Sequence, residues 1–561
     1  MENIFALSFP TGYNKKDNVI QEDIKKLFSG EILSDEKTLD RYSRDYSIFR
    51  VKPRLVAFPR NTDDIKKLVE FAGTKRGRAE RLSITARSAG TDMTGGPLND
   101  SIIIDFTKRL NRIKYIGPDY AIAEPGVYFR NLEKQLAQRG LFYPAYPASK
   151  DLCALGGMIS NNSGGEKTLS YGKTQDYVRE LRVILSDGNE YDIRPLQKKE
   201  LQSRLRKKGF EGDVYRKMYA LIEKNYDFIQ SAKPAVSKNS SGYSLWDVWD
   251  KKTFDLTKLI VGSQGTLGII TEAKLGVVKI KRHSSLVVVF LKDLAPLAKI
   301  IVKTLEFKPE SLESFDDKTL SVAMRFLPGI IKSMGGNFFK LILQFLPEVL
   351  MALRGGFPKM ILLSEFTSNS AEELARTTKS FFEAIKKFGV EARIIKNDIE
   401  AQKYWTIRHQ SFNLLHDHSG EKEAVPFIDD VIVRPEYLPE FLPKLNAILD
   451  KYKDALVYTI AGHPGNGNFH IIPIMDLKNP STRSLIPLIS DEVYDLVLQY
   501  KGSITAEHND GLIRTPYLKK MYGEKMTRLF AEVKKIFDKR GIFNPGKKVG
   551  GDLEYSMDHI V

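Results

Sequence analysis

The sequence predicts an α+β protein of at least two domains. Three observations carry that expectation. At 561 residues the chain exceeds what one hydrophobic core ordinarily organises. Three stretches dense in glycine and other small residues fall in the first half, at 84–98, 146–172 and 259–275. After residue 280 the pattern changes. Apolar runs such as SSLVVVFLKD and PKMILLSEF read as strands and alternate with helical segments such as SAEELARTTKSFFEAIKKFG, an α+β arrangement.

Taken in order, residues 31–60 are polar and then extended, ending in KPRLVAFP. NTDDIKKLVEFAGTK has helical apolar spacing at Ile65, Leu68 and Val69, with Thr62 or Asp63 as its expected N-cap. The first small-residue stretch, ITARSAGTDMTGGPL, follows an expected strand and precedes the apolar run SIIIDF at 101–106. The second is YPASKDLCALGGMISNNSGGEKTLSYG, and ELRVILSDGNEY (180–191) then reads as a strand ending in a turn. The third is LIVGSQGTLGIITEAKL. Later, RFLPGIIKSMGGNFFKLILQFLPEVLMALRGGFPK (325–359) stands out, rich in Phe, Leu and Ile with charges almost all basic. Its uncharged runs fall far short of the about 20 apolar residues that span a bilayer. It is expected either to lie in a membrane interface or to pack as a helical layer against a sheet.

Composition narrows the class. Hydrophobic residues at 42% and charged residues at 28% fit a soluble globular chain and exclude disordered, collagenous and multi-span classes. The lone cysteine, Cys153, rules out a disulfide framework and a cysteine-held iron–sulfur cluster within these residues. The opening MENIFALSFPTGYNKKDN shows no basic leader ahead of a long apolar run, so a cytoplasmic location is expected. A net charge of +16 could serve nucleic acid, anionic lipid or an acidic substrate. The Lys and Arg are scattered, with no zinc-finger, basic-zipper or RNA-binding signature, so no nucleic-acid partner is expected.

Glycine lets the main chain approach a ligand, and successive N–H groups make a nest for anions. ARSAGTD suits a pyrophosphate, but it lacks the Gly-Lys-Ser/Thr of a Walker loop and is not a dinucleotide fingerprint. Any one of the three stretches could be a turn. Together with their neighbours they carry a resemblance. VAFPRNTDDIKKLV, ARSAGTDMTGG, IIIDFTKRLNRI, AEPGV, YPASKDLCALGGMISNNSGG, YGKTQDYVRELRVILSDG and VGSQGTLGIITEAKL stand in the order and spacing of the type-4 (PCMH-type) FAD-binding domain of the vanillyl-alcohol oxidase superfamily. The sequence resembles that domain over residues 35–280 and again at IFNPGKK (542–548).

The resemblance implies a two-domain flavoprotein. An N-terminal extension (1–50) would pack on an FAD-binding domain (51–280). An α+β cap or substrate domain (281–510) would carry the inserted segment 325–359, and residues 511–561 would return to the FAD domain. It further implies that Arg87, Ser88, Ala89, Gly90, Thr91 and Asp92 hold the FAD pyrophosphate. Ser149, Gly156, Gly157, Asn161, Ser163 and Gly164 would run along the flavin and ribityl chain, and Gly268 and Ile270 would pass the adenine and ring region. Ser88 and Ala89 stand where the family usually has glycine, and both are small enough to keep the nest. Some relatives tether FAD through a histidine in the first loop; residues 84–98 contain none, so the flavin is expected to be non-covalent.

IAGHPGNGNFHIIPI (460–474) places two histidines seven residues apart on a polar bend between strand-like flanks. They could converge on one metal or sit as polar turn residues without a ligand. GSITAEHNDGLIRTPYL (502–518) adds Glu507 and His508. Two histidines and a carboxylate form a common divalent-metal set with positions left open for substrate; zinc suits such donors, and manganese or iron also accept them. Both motifs resemble the C-terminal region of the D-2-hydroxyacid dehydrogenases of the same superfamily (the D-lactate, glycolate and D-2-hydroxyglutarate enzymes). That resemblance implies His463, His470 and Glu507 as metal ligands and His508 as the base. Asn468 would contact substrate or orient a ligand. In YWTIRHQSF (404–412), matching the family's Trp-x-x-Arg, Arg408 would clamp the substrate carboxylate with its fork; a structural ion pair is its alternative. Asn466 stands where aspartate is usual, and EHNDG replaces a glycine-rich tail; neither change touches an implied ligand.

The activity implied is FAD-dependent oxidation of a small D-2-hydroxyacid to its 2-oxoacid. With no cluster ligands in the chain, the electron acceptor would be a quinone or a separate carrier protein. Segment 325–359 could hold the protein peripherally on an anionic membrane, at the inner face of the cytoplasmic membrane, and a homodimer is an open partner. Two rivals stand beside this reading. One is an alkyl-dihydroxyacetonephosphate synthase-like transferase, whose histidine-run signature is absent here. The other is a non-catalytic flavin-binding subunit of a larger oxidase.

Overall fold

The computed structural model describes residues 15–325, 358–397, 400–408 and 422–561. Nearly all of segment 325–359 therefore lies outside the described residues, as do the last four positions of YWTIRHQSF.

Three sheets organise the chain. The first is four-stranded, in the order Glu31–Leu33, Leu55–Phe58, Ile102–Asp105, Ile84–Arg87. The last three run parallel and are buried along their whole length or nearly so, as a parallel sheet requires. The helix Thr62–Gly73 packs Ile65, Leu68 and Val69 onto this sheet. Its N-cap is Asn61, not Thr62 or Asp63. Asn61 keeps extended backbone, and its side-chain oxygen accepts from Asp64 N at 3.1 Å, filling one of the unpaired donors of the first turn.

The second sheet is five-stranded and antiparallel, in the order Ile113–Ile116, Tyr120–Ala123, Ile269–Gly276, Val178–Ile184, Glu190–Ile193. The third small-residue stretch thus ends in a central strand, and ELRVILSDGNEY is the hairpin beside it. The C-terminal IFNPGKK comes back to the first sheet. Phe543 pairs with Ile84, and Asn544 Nδ2 donates to Gly96 O and Gln264 O.

The third sheet, among the described residues, has eight strands. Seven follow in the order Glu391–Ile394, His283–Leu291, Met360–Ser368, Ser311–Asp316, Leu456–His463, Asn468–Met475, Glu423–Ala424, and Val431–Ile432 pairs beside Asn468–Met475. It explains the unbroken apolar run SLVVVFL. Val287, Val289 and Leu291 pack into the core with helices Leu297–Glu306, Ala371–Lys386 and Leu438–Asp450, while Leu286, Val288 and Phe290 pack with Leu320, Tyr404 and Ile407. Both faces are covered, so alternation in the sequence disappears. No described helix is long and apolar enough to cross a membrane.

Candidate functional site

A cavity of about 580 Å³ opens between the glycine stretches and the eight-stranded sheet. On one side it is lined by Ser88, Ala89, Gly90, Thr91 and Asp92, by Ser149, Gly156, Gly157, Asn161, Ser163 and Gly164, and by Gly268 and Ile270. On the other it is lined by Thr406, Arg408, Asp429, Thr459, Ala461, His470, Ile472, Glu507 and His508. Small residues are needed here. Gly90 has φ +71°, a conformation that costs other residues. A methyl on Gly164 would stand 2.9 Å from Glu507 Oε2, so this glycine lets the two sides of the cavity meet.

Arg87 departs from the set that the resemblance implies. Its guanidinium is buried away from the cavity, donates to Tyr42 O and Arg44 O at 3.2 and 2.7 Å, and lies over the Tyr42 ring. Its hydrogen bonds go to the N-terminal segment, so the loop that follows it presents its backbone, rather than this side chain, to the cavity.

The two histidines sit on one hairpin. His463 ends strand Leu456–His463, and His470 is the third residue of Asn468–Met475. The turn between them folds by Asn466 N donating to His463 O and Gly467 N to Pro464 O. His463 Nε2 and His470 Nε2 then lie 3.2 Å apart. Glu507 Oε1, on a loop from the far end of the chain, is 3.0 Å from the first and 3.4 Å from the second. Donors bound about 2.1 Å from one ion stand about 3.0 Å apart in octahedral and 3.4 Å in tetrahedral geometry. The triangle has the size of a coordination face.

The donors are also correctly presented. An ionised carboxylate can only accept, so His463 Nδ1 donates to Glu313 Oε1 at 2.5 Å and His470 Nδ1 to Asp429 Oδ1 at 3.1 Å. That turns each Nε2 toward the shared point, the usual support of a metal-bound imidazole. Burial opposes an imidazolium at His470, but Asp429 and Glu507 outweigh it and lift its pKa to about 10; the cluster calls for a cation. These residues fit a divalent metal. Asp430 also approaches His470, Glu507 and His508, but its oxygens are engaged. Oδ2 accepts from Ala506, Glu507 and His508 N at 2.7–2.9 Å and from Thr505 Oγ1, and Oδ1 accepts from Asn468 Nδ2. Asp430 shapes the loop that presents Glu507 and His508.

Asp429 holds a second histidine. Its Oδ2 accepts from His508 Nδ1 at 2.6 Å, and the His470 and His508 rings stack 4.9 Å apart at 13°. Burial works against charge on His508, yet Asp429 and Asp430 raise its pKa. Lys238, fully buried, donates to Glu507 Oε2 and Asn468 Oδ1 at 3.1 and 3.2 Å. Burial penalises the Glu507 carboxylate, but Lys238 and His463 hold it well below the usual range. Asn468 does not line the cavity; it ties Lys238 to Asp430. Arg408 Nε donates to Glu313 Oε2 at 3.1 Å, and Arg408 lines the cavity whereas His463 stands behind it.

Glu313, Asp429, Asp430 and Lys238 escape a reading of the sequence. Only VPFIDDVIV carried a signal: two adjacent acids inside an apolar run must find partners. Nothing in SLESFD or VSKNSSG marks Glu313 or Lys238.

Comparison with known proteins decides the family. A model described as "FAD binding domain" matches residues 53–194, and one described as "FAD linked oxidases, C-terminal domain" matches 280–548. The chain belongs to the FAD-linked oxidases. This FAD-linked oxidase is 28% identical over 527 residues to a D-2-hydroxyglutarate dehydrogenase of Pseudomonas putida, covering 93% of this chain and 50% of that protein. It is 26% identical to the glycolate oxidase subunit GlcD of Bacillus subtilis (95% and 98% covered) and 24% identical to a D-lactate dehydrogenase of Anaerostipes hadrus (95% and 98%). The chain spans about half the length of the first of these and nearly all of the other two. Among solved structures, p-cresol methylhydroxylase aligns with TM-score 0.66 at 17% identity (97% and 99% covered), and an alkyldihydroxyacetonephosphate synthase with 0.65 at 15% (97% and 87%). Both share the fold: mixed helix and sheet with a PCMH-type FAD-binding domain.

Proposed function

We propose that this FAD-linked oxidase oxidises a D-2-hydroxyacid of the lactate, glycolate or 2-hydroxyglutarate class to its 2-oxoacid. The observation that carries the reading is the convergence of His470, Glu507, His508 and Arg408 on the cavity lined by the FAD loops. The names of the relatives support the same substrate class. Bound FAD supplies a two-electron acceptor for the hydrogen on Cα, and a divalent metal, with zinc favoured by the donors, at His463, His470 and Glu507 supplies positive charge that acidifies the substrate hydroxyl.

The chain's own residues do the rest. With Nδ1 on Asp429, His508 has Nε2 left to take the hydroxyl proton, and Asp429 stabilises the imidazolium that results. The Arg408 guanidinium suits the substrate carboxylate and fixes the orientation of Cα. Lys238 keeps Glu507 ionised as a ligand. In this reading the electrons then leave to a quinone or a separate carrier protein.

The test is anaerobic: flavin absorbance is followed as D- and L-hydroxyacids are added to metal-replete protein, and a soluble quinone is then supplied. Bleaching by D-hydroxyacids and recovery with quinone are expected. A flavin that stays oxidised with every hydroxyacid would overturn the reading and favour a transferase or a non-catalytic subunit.

A further inference from the structure

Glu313 neither lines the cavity nor touches the substrate in the proposed reaction, yet both halves of the site hang on it. It lies in strand Ser311–Asp316, 1% exposed, between Met360–Ser368 and Leu456–His463. One oxygen takes His463 Nδ1 at 2.5 Å; the other takes Arg408 Nε at 3.1 Å. A carboxylate this deeply buried is costly unless both oxygens are matched by donors. Here the donors come from two different elements, the hairpin that carries the metal-type triangle and the helical segment 400–408 that carries the cavity-facing arginine.

The geometry has two consequences. By engaging His463 Nδ1, Glu313 fixes the ring so that Nε2 points at Glu507 and His470. By holding the Nε edge of Arg408, it sets the plane of that guanidinium, which a fork-like contact with a carboxylate demands.

We infer that Glu313 is a positioning residue that locks the substrate-carboxylate clamp to the metal centre, so that metal affinity and hydroxyacid affinity depend on one buried side chain. The inference rests on the function proposed above. A residue that merely neutralised Arg408 would leave the metal alone, and one that merely oriented His463 would leave substrate affinity alone.

The test uses the FAD-loaded full chain. Glu313→Gln keeps the shape but offers one acceptor oxygen and turns an NH2 toward the other donor. Zinc affinity by chelator competition should fall about 10- to 100-fold, and KM for the hydroxyacid, measured at saturating zinc, should rise with it. Arg408→Lys should raise KM and leave zinc affinity unchanged. Glu313→Asp keeps the charge with a shorter reach; it should lose at least one of the two effects' wild-type values, and it decides the matter should Glu313→Gln not fold. Wild-type zinc affinity in Glu313→Gln, or wild-type values of both quantities in Glu313→Asp, overturns the inference and spares the proposed function. Wild-type protein that neither holds zinc nor bleaches with any hydroxyacid overturns both, before any variant is made.

Discussion

Asp429 carries more of the site than any histidine. Its two oxygens hold the Nδ1 atoms of His470 and His508, so one carboxylate sets the tautomer of a proposed ligand and of the proposed base. The two roles can be separated. His508→Gln should slow hydroxyacid-driven flavin reduction by about 10²- to 10⁴-fold, the range of a lost general base, with zinc content unchanged. Asp429→Asn has one acceptor where two are needed, so it should slow reduction and also weaken zinc. Rapid-mixing flavin reduction alongside metal analysis checks both; zinc loss in His508→Gln would contradict the assignment. The histidines and Glu507 were legible because two imidazoles on a polar bend and a Glu-His pair are uncommon patterns. Their supporting carboxylates were not, because Glu313, Asp429 and Asp430 are ordinary acids until folding brings them within 3.1 Å of a ring or main-chain nitrogen.

At the scale of elements, the hairpin Leu456–His463 and Asn468–Met475 is the unit that makes the triangle. Its register pairs Ala461 with His470 and His463 with Asn468, which places the two histidines diagonally on one face. The turn needs Gly467, which has φ +73°, and a Cβ there would stand 1.8 Å from Val433 O. Gly467→Ala should therefore cost about 3 kcal/mol or more, because backbone rather than a flexible side chain must move. Zinc affinity should fall with it, since the same turn sets the His463–His470 distance. Urea unfolding with and without zinc measures both; a variant as stable as wild type would show that the turn is not under this constraint. The polar bend was readable from GNGN, and most strands were readable as apolar runs. The order of strands was not. That Ser311–Asp316 lies beside Leu456–His463, bringing Glu313 to His463, follows from packing across 150 residues of chain, and no local pattern encodes it.

For the whole molecule, the change of pattern at residue 280 falls just ahead of the first strand of the eight-stranded sheet, which begins at His283. The closure of the chain on itself was less visible. IFNPGKK drives two lysines into the interior: Lys547 Nζ donates to Leu98 O at 2.6 Å, and Lys548 Nζ to Ser240 O, Gly242 O and Asp510 Oδ2 at 2.8–2.9 Å. Burial pushes Lys547 down to about 8, against the pull of Asp100, Asp45 and Asp92, and it also lowers Lys548. The consequence for stability has a definite sign. Between pH 8 and 10 the unfolded chain, with an ordinary lysine, binds more protons than the folded one. The contribution of these two lysines to the free energy of unfolding therefore rises with pH across that window. For Lys547 the full cost, roughly 3 kcal/mol, is borne below pH 8 and relieved as pH climbs toward the ordinary lysine value. Above pH 10 the trend reverses, because buried tyrosines such as Tyr143, raised by burial, ionise first in the unfolded chain. Guanidinium unfolding of flavin-free wild type and Lys547→Met, which cannot titrate there, at pH 7 to 10 should show wild type gaining stability relative to the variant as pH rises, by the share Lys547 carries. Parallel curves for the two proteins would mean that the buried lysine keeps an ordinary pKa and that its neighbouring acids compensate its burial in full.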